Sequence, residues 1–235
     1  MIKNKQKNTY FVYYFNPNWI NMVYSKRKGD ADKVWCNDIV SYCVDKFTDR
    51  STTGGKNALV LDDHNYQSTL SLMDVDKNIE VYIAQHDDNM YKKMMTTVPS
   101  NVSLLMNDEC TVFNTMKNVV VDHADFCGTS KTVFPILRER FENGVYATKS
   151  ILRVTVCQRG SRMKKDKFCD NLMCNIYDLV ENTDYAIKPL SVRQWCDIEG
   201  KGRDKDFPNK ECLESVIYNY GKQMYTVICV VTRLL

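Results

Sequence analysis

No stretch of this chain comes near the roughly 18 consecutive apolar residues that a membrane helix needs, so no helical membrane anchor is expected. The amino terminus, MIKNKQKNTYFVYY, carries lysines but no small-residue cleavage site after an apolar stretch, so no secretory signal is expected either. None of the ten cysteines forms a C-x-x-C pair, and the tightest group, Cys157, Cys169 and Cys174, has no histidine nearby; no metal site is expected. Without a secretion signal the set reads as reduced thiols, and the chain as soluble, intracellular and cytoplasmic. Internal repeats and low-complexity tracts are absent. Ser51–Lys56 (STTGGK) lacks both the four-residue spacer and the Ser or Thr of a phosphate-binding loop. Net charge is only +3 over 235 residues, too little to imply a polyanionic partner by itself.

What is present is an ordinary globular composition, 44% hydrophobic and 26% charged, which argues against wholesale disorder and allows a full core. Tyr10–Phe15 is an aromatic run, read as core packing, an edge strand or a surface anchor. In Asp30–Phe47, Val34, Trp35, Ile39, Tyr42, Cys43 and Phe47 recur at three and four residues, the spacing of one apolar helix face. From Asn57 short apolar runs alternate with helical segments. Strands are expected at Asn57–Leu61, Ile79–Ala84, Val102–Met106, Val119–Val121 and Ile151–Cys157, and helices at Tyr66–Asp74, Asn89–Thr96 and Val133–Glu142. That alternation predicts a parallel sheet with helices on both faces. Glu214–Tyr220 and Gln223–Thr232, joined by Gly221-Lys222, predict a closing antiparallel hairpin. Residues 1–56 read as an amino-terminal extension whose amphipathic helix packs on the core, and residues 57–235 as the α/β domain.

The segment Asn118–Thr129, NVVVDHADFCGT, organises the rest. Three valines suit a strand buried on both faces. Asp122 and Asp125 then fall where open α/β sheets bind ligands, at the carboxyl end of a parallel strand. The same residues also describe a strand followed by an Asp-rich turn, with Gly128 permitting the bend.

In order of elements, Asn57–Leu235 resembles the class I S-adenosylmethionine-dependent methyltransferases, a Rossmann-like family with a carboxy-terminal antiparallel hairpin. D-x-x-D-F-C-G is also similar to a motif of methyltransferase-like proteins in phages and large DNA viruses. The resemblance implies S-adenosylmethionine as cofactor. It places Asp62 and Asp63 after the first strand, near the donor's amino-acid tail. Gln85, with Asp87 nearby, would meet the ribose, Asp108 the adenine amino group, and Asp122–Gly128 the methyl donor and substrate. Two departures stand out: no glycine lies between Asp62 and Thr69, where the family has a glycine-rich turn, and Gln85 replaces the usual acid.

Asp122 and Asp125 suit general-base work or positioning of an attacking nitrogen. Phe126 would stack on a planar substrate or pack beneath the sheet. Cys127 lacks the preceding proline of cytosine-C5 enzymes and reads as a small pocket residue more readily than as a nucleophile. Arg159, Arg162, Lys164, Lys165 and Lys167 crowd the loop after the fifth strand, on the edge of the sheet shared by the other strand ends. They would attract nucleic-acid phosphates, or form a solvated face balanced by Asp166 and Asp170. The expectation is a viral methyltransferase acting on DNA or RNA in the host cytoplasm. The alternative is an eroded methyltransferase fold serving as a nucleic-acid-binding or scaffold subunit.

Overall fold

A computed structural model describes residues 30–48, 55–85, 87–106, 113–125, 128–158, 163–191, 212–213, 215–219 and 224–234. Its first element, helix α1 (Asp30–Phe47), precedes the sheet. The alternation then runs β1 (Lys56–Val60), α2 (Gln67–Val75), β2 (Ile79–Ala84), α3 (Asp88–Met95), β3 (Val102–Leu105), β4 (Val119–Asp125), α4 (Ser130–Glu142), β5 (Tyr146–Cys157), α5 (Lys165–Asp178) and β6 (Tyr185–Pro189). Three strands end the chain: β7 (Cys212–Leu213), β8 (Val216–Asn219) and β9 (Met224–Arg233).

The order across the sheet is β3-β2-β1-β4-β5-β9, with β1 to β5 all parallel. β9 is antiparallel to β5. On its far side β9 pairs with β6 through Arg233–Cys229 and with β8 through Thr226–Met224, and β7 pairs with β8. The expected closing hairpin is therefore present; its Gly221-Lys222 turn lies outside the described residues. The strand order reverses between β1 and β4, which is the switch point where such sheets open a crevice.

Two apolar layers sandwich the sheet. On one face Cys36, Ile39, Val40 and Cys43 of α1, Leu72 of α2 and Met94 of α3 pack on Ala58, Val60, Val81, Ile83, Val121 and Ile151. On the other, Leu137 and Phe141 of α4 and Leu172 and Ile176 of α5 pack on Leu59, Leu152, Val154, Val227 and Cys229. The buried strands carry near-continuous apolar runs because both faces are covered. Gly144, at φ +62°, ends α4 in a left-handed turn, and the backbone N–H of Val145 donates to Arg140 O at 3.1 Å. The six described cysteines are thiols and not disulfides. Burial pushes the Cys43 thiol up to about 12 and the Cys169 thiol to about 11, the behaviour of small hydrophobes. Among the described residues no helix is long and apolar enough to cross a membrane.

The structure corrects three sequence expectations. β4 does not stop at Val121 but continues to Asp125. α1 is helical as expected, yet its buried stripe is Cys36, Asn37, Ile39, Val40, Cys43 and Val44, whereas Tyr42 and Phe47 are exposed. The side chains of Val34 and Trp35 lie outside the description. Lys165 and Lys167 belong to the first turn of α5, not to a loop, and the run ends in a helix and a strand, β6, that periodicity did not flag.

Candidate functional site

Strand register fixes which residues share the carboxyl edge. Val60 of β1 pairs with Ile83 of β2 on one side and His123 of β4 on the other. Two residues beyond each member of that trio stand Asp62, Gln85 and Asp125. The row continues outward: Gln85 N donates to Leu105 O at 2.9 Å, and Asp125 pairs with Thr155 of β5. Three of the chain's polar candidates thus lie side by side across the switch point.

Asp62 is buried and structural in its contacts. Its carboxylate accepts from the backbone N–H and the hydroxyl of Thr69, at 3.0 and 3.1 Å, and so satisfies the first turn of α2. Asp63 is exposed; one of its oxygens accepts from Asn65 N at 2.9 Å. The glycine-free connection turns instead at Tyr66, held at φ 51°, ψ 32°. A non-glycine residue there is strained, and Tyr66 is locked by full burial and by a 2.7 Å hydrogen bond from its hydroxyl to Met94 O. Gln85 is half-buried. Its amide oxygen accepts from Asp87 N at 3.0 Å, and its amide nitrogen lies 3.9 Å from Met94 Sδ. Asp87 caps α3, accepting from Met90 N at 2.7 Å. Asp108, with Cys110 and Val112, lies outside the described residues, as do His86, Phe126 and Cys127.

Asp122 is the clear correction. It pairs with Leu59 inside the sheet, three residues and about 10 Å below the tip of β4. Its carboxylate is buried and accepts two hydrogen bonds from Arg140 Nη1 of α4, at 3.0 and 2.8 Å, and one from the Tyr146 hydroxyl at 2.8 Å. Asn114 and the Phe113 ring complete the guanidinium's surroundings. Burial first, and then the Asp122 charge, hold the Tyr146 hydroxyl well above the usual tyrosine range. With its lone pairs spent on α4 and β5, Asp122 locks the sheet to a helix and does not reach the carboxyl edge.

Asp125 does reach it. Its side chain is 24% exposed, and one oxygen lies 3.6 Å from Nη2 of Arg153, itself 4% exposed, on β5. Nη1 of the same guanidinium donates at 2.9 Å to Oδ1 of the buried Asn37 of α1. Nε of Arg153 has no hydrogen-bond partner among the described residues. Beside them Thr155 and Thr226 share a 3.0 Å hydrogen bond between hydroxyls. Sequence reasoning missed Asn37 and Arg153. The arginine's signal was its position in the apolar strand ILRVTVC, where a charge needs a buried partner.

The described part of the basic segment follows β5 on this same edge. Lys164 and Lys167 are exposed and Lys165 is half-buried. Arg159 and Arg162 lie outside the described residues. Gly128 joins this edge to β5, its carbonyl accepting from Cys157 N at 2.9 Å. An added Cβ at Gly128 would meet Thr132 Oγ1 at 2.6 Å, so a larger residue there would push that hydroxyl off its 2.9 Å bond to Thr129 O.

No protein-family model matches this chain, and no curated protein sequence does. Solved structures do match. The plantazolicin methyltransferase BpumL in complex with SAH superposes with a TM-score of 0.54 at 6% identity, covering 87% of this chain and 86% of that one. M. jannaschii TYW2 in complex with AdoMet gives 0.53 at 10% identity, covering 89% and 78%. A fibrillarin/Nop5p complex gives 0.52 at 11%, covering 86% and 83%. The fold is therefore the Rossmann-like fold of the class I S-adenosylmethionine-dependent methyltransferases. At these identities the likeness is one of fold.

Proposed function

We propose that this chain is an S-adenosylmethionine-dependent methyltransferase whose donor lies over the carboxyl ends of β1, β2 and β4. The observation that carries the reading is the common row of Asp62, Gln85 and Asp125 at the switch point of a fold shared with proteins crystallised with AdoMet or SAH. The residues present fit such a donor. Asp63 is exposed and suits the donor's ammonium, the amide nitrogen of Gln85 suits a ribose hydroxyl, and the exposed Met106 beside it offers an apolar surface to adenine. Asp62 orders the connection from below, and the connection turns at Tyr66 in place of a glycine.

Bound there, the donor would supply an electrophilic methyl group on a sulfonium. Asp125 is the residue placed to hold or accept the proton of an attacking nucleophile; Phe126, next in sequence, is proposed to flank the acceptor. Nucleic acid is the proposed acceptor class, supported by the exposed Lys164 and Lys167 beside Arg159, Arg162 and Lys165. The viral setting rests on the D-x-x-D-F-C-G resemblance.

Calorimetry with S-adenosylmethionine and S-adenosylhomocysteine tests the donor site: saturable one-to-one binding is expected, and absence of heat from both would leave only an eroded fold. Radiolabelled methyl transfer to bulk RNA, DNA and a small-molecule panel tests the acceptor. Charge reversal at Arg162, Lys164 and Lys165 together should weaken RNA or DNA binding at low salt, by about tenfold or more, and flatten its salt dependence. Unchanged binding would remove nucleic acid from the proposal.

A further inference from the structure

The Asp125–Arg153 contact is long. A charge-assisted N–H···O⁻ bond normally closes to about 2.7–2.9 Å, yet here the nearest approach is 3.6 Å. Among the described residues the guanidinium's one close bond runs the other way, 2.9 Å to Asn37 on α1. Asn37 is 2% exposed and Arg153 4%, so the two hold each other out of water, while Asp125 remains partly open at the carboxyl edge. Asn37 and Asp125 thus approach the same guanidinium through different nitrogens, Nη1 and Nη2, and of the two only Asn37 is within hydrogen-bond distance. α1 lies before the sheet in sequence and contributes no residue to the row of strand tips, yet its Asn37 holds the guanidinium that stands 3.6 Å from Asp125.

We propose that Asn37 is a positioning residue: by anchoring Arg153 from α1, it holds the ion pair open and leaves the Asp125 carboxylate directed at the cationic centre of the donor. Without that anchor the guanidinium closes on Asp125 and neutralises it. The seating of α1 on the sheet then sets how strongly the site favours a positively charged donor over its neutral product. The inference rests on the donor lying over the carboxyl edge as proposed above.

The test compares two ligands by calorimetry: sinefungin, which carries an ammonium where the donor has its methylsulfonium, and S-adenosylhomocysteine, a neutral thioether. The wild-type protein should prefer sinefungin, and Asp125→Asn should abolish most of that preference. Asn37→Leu should reduce the preference by about fivefold or more while S-adenosylhomocysteine affinity stays within about twofold. Asn37→Asp, which keeps the acceptor oxygen, should restore it. Should the leucine variant not fold, Asn37→Ser, polar but too short to reach Arg153, takes its place with the same expectation. A merely structural role for Asn37 would weaken both ligands alike, and that result overturns the inference. So does a leucine or serine variant with an undiminished preference, an aspartate variant no better than leucine, or a wild-type protein that binds both ligands equally. A wild-type protein that binds neither ligand overturns the donor site itself, and the inference with it.

Discussion

Asp122 and Asp125, three residues apart on one strand, have opposite fates. Asp122 is sealed under α4 with Arg140, both side chains 1% exposed, so removing one partner leaves an uncompensated buried charge. Arg140→Met should therefore cost about 3–5 kcal/mol in urea unfolding, a loss far beyond that of a surface arginine. The Tyr146 hydroxyl in the same cluster is held well above the usual tyrosine range, by burial first and by Asp122 second. A raised native value means that the protonated hydroxyl favours the folded state. Its contribution is complete below the unfolded value of about 10 and is lost as pH climbs above it. Unfolding followed from pH 8 to 11 should show stability falling above pH 10, with a shallower slope in Tyr146→Phe. Tyr66 and Tyr185, also raised by burial, keep that slope from vanishing. From the sequence an acid after three valines reads as the end of a strand. The arginine that makes it a core residue lies eighteen positions later, beyond the reach of local pattern.

At the scale of elements, the alternation of β1 through β5 was legible because each apolar strand stands apart from its neighbours by a polar turn and a helical spacing. α5 was not. Its buried stripe, Phe168, Cys169, Leu172 and Ile176, is correctly spaced for a helix, but Lys164, Lys165 and Lys167 crowd its start and made the segment look like a solvated loop. β6 was hidden by its shortness, its terminal proline and its half-exposed pattern, and it is a strand because β9 offers it an edge. In α1 the three-and-four spacing fits two overlapping stripes, and the aromatic weight of Tyr42 and Phe47 favoured the wrong one. The structure makes that testable: Ile39→Ala should cost about 2–4 kcal/mol of stability, whereas Tyr42→Ser should stay within about 0.5 kcal/mol. Equal effects in thermal or urea unfolding would place α1 in another rotation about its axis, and would separate Asn37 from Arg153.

Taken whole, the molecule is a sheet whose strand order reverses between β1 and β4 and whose polar tips gather at that reversal. The row itself was legible, since Asp62, Gln85 and Asp125 were named from the sequence, but Asp122 was wrongly counted with them and the Asn37–Arg153 pair beneath Asp125 was not foreseen. Row membership is set by register, and the register of β1 with β4 depends on pairings between residues more than sixty positions apart. The central claim is that this row cradles a sulfonium nucleoside. The most direct measurement is a crystal structure of the protein grown with S-adenosylhomocysteine. The nucleoside is expected across the tips of β1, β2 and β4, its ribose within hydrogen-bond reach of Gln85 and its sulfur facing Asp125. Density for the ligand at any other place on the molecule, or none at saturating concentration, would contradict it.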